Sequence, residues 1–194
     1  MLEESARASL LDRAGLCQSS LGQYAAAETA HRQALMLRKD KLGERHTDTL
    51  ASMNGVGASL ADMGRYEEAE TMNRATLVIC EEVLGTKHPE TLTTMNNLAL
   101  VLNSQGKYEE AEQMNRATLA RSEEVLGTKH PNTLTSVYCL AHLLTGLRRC
   151  DEAIVLYERA SIGYSAVLGP SHPLTKACHN HYSQALLSRD LIKP

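Results

Sequence analysis

From Pro89 to Gln105 the chain reads PETLTTMNNLALVLNSQ, with Leu92, Met95, Leu98, Ala99 and Leu102 at three- and four-residue steps. That spacing lays them along one stripe of a 3.6-residue helix. After Gly106, residues 108–126 (YEEAEQMNRATLARSEEVL) repeat the pattern with Tyr108, Ala111, Met114, Leu119 and Leu126. A second helix is therefore predicted, with its own apolar stripe. The pair recurs along the chain. Gly22, Gly64, Gly106 and Arg148 stand 42 residues apart and precede QYAAAE, RYEEAE, KYEEAE and RCDEAI. A fixed period in this range is the signature of stacked supersecondary units. The whole chain, 1–194, thus predicts one all-α solenoid of antiparallel helix pairs. Its units lie at about 5–46, 47–88, 89–130 and 131–172, with a capping helix at 173–188.

The junctions carry matching signals. Gly64 and Gly106 fall where the first helix of a pair must stop and reverse, a place suited to the left-handed conformation. The glutamates that follow sit in a first helical turn, where the dipole favours anions. Glu70 with Arg74 and Glu112 with Arg116 are i,i+4 pairs of about 0.2–0.5 kcal/mol each, supporting the helix from its solvated face. The second junction is LGERHT, LGTKHP, LGTKHP or LGPSHP, which sets His46, His88, His130 and His172 at the same 42-residue step. Gly85 and Gly127 end one helix, and Pro89 and Pro131 suit the first position of the next. The histidine before each proline is pushed out of the helical region and placed to cap free backbone groups. This accounts for every residue of the corner except the lysine. A metal shared among these histidines conflicts with the spacing: stacked units sit about 8–10 Å apart with equivalent side chains parallel, whereas zinc ligands converge at about 2 Å.

Composition narrows the function. Twenty basic against 23 acidic residues give a formal charge of −3, so no positive field exists to gather nucleic-acid phosphates. The aromatic residues are seven tyrosines, and the core is expected to rest on Leu, Ala, Val and Met. No apolar run approaches the roughly 20 residues of a membrane helix. MLEESARASL has two glutamates where a signal peptide would be cationic and apolar, so a soluble, cytoplasmic protein is expected. The five cysteines, Cys17, Cys80, Cys139, Cys150 and Cys178, lack CxxC spacing and are expected to be buried thiols rather than disulfides.

A small residue in the first helix (Gly57, Ala99, Ala141, Ser183), a turn glycine, then tyrosine (Tyr24, Tyr66, Tyr108) and alanine three positions on (Ala27, Ala69, Ala111) resemble the tetratricopeptide pattern. NNLA, GKYEEAE and LGTKHP look like the long repeats of kinesin light chains, and the MNR-TL phrase like the C-terminal arms of fungal nucleotide-binding receptors. There is no phosphate-binding GxxxxGK[ST] loop, so within such a receptor this stretch would be the sensing arm. The resemblance implies a right-handed superhelix whose first helices line a concave groove that holds a protein or peptide partner. The implied lining includes Asp12, Arg13, Leu16, Asn54, Gly55, Ala58, Asn96, Asn97, Leu100, Tyr138, Cys139, His142, Asn180, His181 and Gln184. Asparagine gains little in a helix interior, and its amide can grip the backbone of an extended peptide. The alternative is that Asn54, Asn96 and Asn180 bond neighbouring helices. Only Arg13 is basic here, which argues against a clamp for acidic peptides.

Other chemistry is sparse. Cys139 and His142 share a helix, and Cys178, His179 and His181 lie on the next equivalent one, so a zinc site or a nucleophile–base pair is conceivable there. No third orienting group or oxyanion loop accompanies them. The expectation is a binding module with no cofactor and no catalytic step. The alternative is a structural or self-assembling arm that packs against another domain of a longer protein.

Overall fold

The computed structural model describes residues 2–192, so Met1 and the last two residues of the array lie outside it. The described residues form nine α-helices and no strand. The chain divides into two compact units, Met1–Gln105 and Gly106–Pro194. The first holds α1 (Leu2–Ser20), α2 (Tyr24–Leu42), α3 (Thr47–Asp62), α4 (Tyr66–Val83) and α5 (Pro89–Ser104). The second holds α6 (Tyr108–Leu126), α7 (Pro131–Gly146), α8 (Cys150–Val167) and α9 (Pro173–Ile192). Helices α2, α4, α6 and α8 begin 42 residues apart, and so do α3, α5, α7 and α9. Within each unit consecutive helices pack together, and alternate ones also touch, α1 on α3 and α3 on α5 in the first, α7 on α9 in the second. Helix α9 runs beyond the predicted Ser188 because no glycine or proline interrupts residues 189–192.

Both junctions work as the sequence predicts. His46, His88, His130 and His172 hold extended or flanking positions, and each Nδ1 accepts from the backbone N–H two residues on, at 3.1, 3.1, 3.2 and 3.2 Å. Gly43, Gly85, Gly127 and Gly169 take positive φ just before them. A partner unseen in the sequence completes three corners: Thr49, Thr91 and Thr175 donate their hydroxyls to the carbonyls of Gly43, Gly85 and Gly169 at 2.8–2.9 Å. The tighter reversals are Schellman-like. At Gly64 the Arg65 N–H reaches Leu60 O at 2.9 Å and the Gly64 N–H reaches Ala61 O at 2.9 Å. Arg148 occupies that slot with φ +59°, the positive φ of a non-glycine residue.

Two packing expectations need correction. In the second helices of the pairs the fully buried stripe departs from the apolar one read from Tyr108, Ala111, Met114, Leu119 and Leu126, of which Ala111 is fully buried, Tyr108 is exposed and the other three are half-buried. It runs through Ala69, Asn73, Thr76 and Cys80 in α4 and Ala111, Asn115, Thr118 and Ser122 in α6. Small side chains there permit close helix approach, and Thr76 and Thr118 satisfy their hydroxyls on the carbonyls four residues back at 2.8 and 2.7 Å. The core also recruits tyrosine. Tyr157 and Tyr164 are among the largest fully buried side chains of the second unit, which is tolerable because buried hydroxyls are partnered, Tyr164 with Thr135 Oγ1 at 2.9 Å. Of the cysteines, Cys80, Cys150 and Cys178 are buried, Cys139 is half-buried and Cys17 is exposed.

Candidate peptide-binding groove

In the first unit the first helices α1, α3 and α5 open a groove of about 370 Å³. Its walls follow helical steps: Asp12 and Leu16 on α1, Ala51, Asn54, Gly55 and Ala58 on α3, Glu90, Thr93 and Asn97 on α5. His31 of α2 closes the floor. Six positions expected from the sequence (Asp12, Leu16, Asn54, Gly55, Ala58 and Asn97) are therefore brought together. Arg13 is exposed on α1, and Leu100 is 42% exposed on α5, both outside the groove wall.

The polar groups differ in what they have left to offer. Asn54 is 4% exposed and tied between helices: its Nδ2 donates to Glu90 Oε2 at 2.9 Å, and its Oδ1 accepts from Thr94 Oγ1 at 2.9 Å. Asn96 is 7% exposed. Asn97 is half-buried, lines the groove, and makes no side-chain hydrogen bond among the described residues. Asp12 is the hub of a buried network. It bonds Arg38 Nη1 through Oδ2, accepts from Ser52 Oγ at 3.0 Å, and meets His31 Nδ1 at 2.9 Å. Arg38 also donates to Ser52 Oγ at 2.7 Å and to the Asp48 carbonyl at 2.9 Å. A largely buried guanidinium, with a carboxylate only partly exposed beside it, needs such hydrogen-bonded company. His31 sits between two glycines: a Cβ on Gly15 would stand 2.6 Å from its Nε2, and one on Gly55 2.5 Å from its Nδ1.

His31, Ala51, Glu90 and Thr93 are the lining residues that sequence reasoning missed. Glu90 could have been found by extending the α5 face two turns back from Asn97, through Thr93, at four- and three-residue steps. His31 could have been found as the 42-residue equivalent of buried Asn73.

The second unit gathers a different set. Tyr138 Oη and His181 Nδ1 lie 2.6 Å apart with their rings stacked, and the His142 ring is 5.5 Å from that of His181. Asn180 is exposed on α9. The Cys/His candidates go separate ways: Cys178 Sγ contacts the Tyr157 carbonyl at 3.7 Å, His179 Nε2 pairs with Ser161 Oγ at 3.1 Å, and His181 holds Tyr138. Among the described residues no three His, Cys, Asp or Glu side chains are grouped to hold a metal ion. Burial pushes the Cys139 thiol up to about 12, the reverse of the activation a nucleophilic cysteine needs. Crowding by protein, then the neighbouring His181, pull His142 below the usual imidazole range.

Helical hairpins repeated at 42 residues, with small residues between them and a first-helix groove, define a helical-repeat array. The chain belongs to the tetratricopeptide repeat family, which it matches over residues 5–77, 48–124, 96–138 and 133–174. Solved structures share the fold. A Podosopora anserina protein of nearly identical TPR-like repeats, named for kinesin light chain, is 22% identical with a TM-score of 0.71, covering 99% of this chain and 90% of that one. BtubC (BKLC) of P. vanneervenii is 17% identical, TM-score 0.68, over 100% and 85%. A Rap protein complexed with competence and sporulation factor is 17% identical, TM-score 0.71, over 97% and 56%. No curated protein matches the chain. Among the described residues no helix is long and apolar enough to cross a membrane.

Proposed function

We propose that this chain is a non-catalytic, cytoplasmic protein-interaction module that holds an extended peptide in the groove of α1, α3 and α5. The observation that carries the reading is the groove itself: three first helices bring Leu16, Asn54, Ala58, Glu90, Thr93 and Asn97 together along one open face. The amide of Asn97 suits a peptide backbone, and the apolar Leu16, Ala51 and Ala58 suit its side chains. The Rap protein of the same fold was solved with a bound factor, which supports a helical array of this kind as a receptor for a partner. The formal charge of −3 argues for protein over nucleic acid. The resemblance to the arms of fungal nucleotide-binding receptors extends the reading to a sensing arm of a longer protein. Ala58→Arg fills the groove without entering the core, since Ala58 is only half-buried. It is expected to abolish peptide binding while leaving the helical melting curve in place. Peptide binding that survives this change would refute the groove.

A second reading, a self-assembling or intramolecular arm, draws support from Leu10, Met36 and Leu187, each at least 62% exposed. Sedimentation separates the two: a groove binder stays monomeric at micromolar concentration.

A further inference from the structure

We infer, resting on the groove reading above, that the groove selects a peptide presenting a lysine or arginine side chain, with Glu90 receiving the cation. Both fixed charges on the groove wall are carboxylates, Asp12 and Glu90, and no lysine or arginine lines it. The two acids are not equivalent. Asp12 is offset by Arg38, which approaches it from the buried side and is itself 9% exposed. Glu90 has no cationic partner among the described residues; its one side-chain bond is the donation from Asn54 Nδ2 to Oε2. It sits in the first turn of α5, just after Pro89. With one oxygen engaged by an amide, Glu90 retains a formal charge and an acceptor oxygen.

The surroundings fit the rest of such a side chain. Leu16 of α1, which is 64% exposed, and Ala58 of α3 line the same groove. A long basic side chain lays its methylene stem along apolar surface while its head stays polar, and Leu16 and Ala58 supply apolar surface in the groove that holds the acid. On the helix of Glu90, Asn97 keeps its amide for the backbone of the peptide, while the Thr93 hydroxyl donates to the Pro89 carbonyl at 3.0 Å and has only acceptor capacity left. An acidic peptide would instead bring like charge against Glu90, a cost that excludes wrong partners.

The test pans a random-sequence peptide display library on the full chain and on its Ala58→Arg variant, keeping peptides that bind the first only. These groove-dependent peptides are expected to be enriched in lysine or arginine. Glu90→Gln, which keeps an oxygen for Asn54 but removes the charge, is expected to weaken them about fivefold or more, and added salt to weaken the wild-type complex. Glu90→Lys should shift selection towards acidic peptides; where melting shows that Glu90→Lys fails to fold, Glu90→Gln decides. Groove-dependent peptides without basic enrichment, or indifferent to Glu90→Gln, would overturn the charge inference and leave the groove standing. If panning yields no peptide that Ala58→Arg abolishes, the groove reading fails, and this inference with it.

Discussion

Gly55→Ala puts the packing of His31 to a direct test, because two known effects of opposite sign compete. Replacing a helix-interior glycine by alanine contributes about 0.8–1 kcal/mol of helix propensity. Against it stands a collision: the new Cβ would lie 2.5 Å from His31 Nδ1 and 2.8 Å from Cε1 and Cγ. An imidazole free to swing would relieve this. His31 is not free, since it is 3% exposed, its Nδ1 is bonded to Asp12 at 2.9 Å, and the Gly15 backbone stands against its other edge. Escape requires the ring to leave Asp12 or α1 and α3 to separate, and overpacking of this kind costs about 1–3 kcal/mol. Together with the lost bond to a charged group, about 1.5–3 kcal/mol, the steric side wins, and a net destabilisation of about 1.5–5 kcal/mol is expected. In a His31→Ala background the obstacle is gone and Gly55→Ala should become stabilising by up to about 1 kcal/mol. Urea unfolding followed by circular dichroism on the four proteins of this cycle reads both numbers and their coupling. A Gly55→Ala protein as stable as the parent in both backgrounds would refute the clamp.

Three further outcomes follow from the turns and the second unit. Arg148 stands at φ +59°, where Gly22, Gly64 and Gly106 stand in the other pairs, so Arg148→Gly should stabilise by about 1 kcal/mol; a lower urea midpoint would count against that. His88 caps α5 by accepting from the Glu90 N–H at 3.1 Å. His88→Ala should cost about 1 kcal/mol and His88→Asn much less, and equal losses from both would show that the cap does not matter. In the second unit, burial raises Cys178 to about 11 and Cys139, Tyr157 and Tyr164 to about 12, from ordinary values of 9.0 for the thiols and 10.0 for the phenols. Groups raised in the folded state contribute stability in full below those ordinary values and lose it as pH climbs through about 11 to about 12. Tyrosinate absorbance from these residues should therefore rise together with loss of helical signal, and complete ionisation in an intact fold would contradict their burial.

The helices and corners were legible because their signals are local and repeated. The i,i+3/i+4 steps of Leu92 to Leu102 and the Gly…His-Pro corner each depend on a few adjacent residues, and the 42-residue step showed them four times over. The groove was legible in part. Asp12, Asn54 and Asn97 line it, but Asn54 spends its amide on Glu90 and Thr94. Which polar groups are spent depends on neighbours 36 to 40 residues away, a relation that single-helix periodicity does not carry. The same limit hid the polar stripe of Asn73 and Thr76, since a helix wedged between two others buries a face that its own apolar residues do not mark. Tyr157 escaped notice because it occupies the slot of His31, Asn73 and Asn115 with a side chain of another character.

That slot shows how an array of this kind divides its labour. The residues that recur at every step, the glycines of positive φ and the capping histidines, act on backbone groups and fix the geometry irrespective of what lies between. With geometry fixed, equivalent positions are free to differ in chemistry. Where the first unit sets Asp12 against Arg38 and Ser52, the next step sets Asn54 near Thr94, whose hydroxyl also meets Cys80 Sγ at 3.7 Å. In the second unit the equivalent of Asp12 is Tyr138, stacked on His181. Each exchange alters charge, hydrogen bonding and apolar surface on the first-helix face without moving a helix start off the 42-residue step. Substitutions at the recurring residues should therefore register in stability, and those at the varying groove residues in partner choice. Asp12 and Asn54 belong to both sets, because they line the groove and also join the helices that form it.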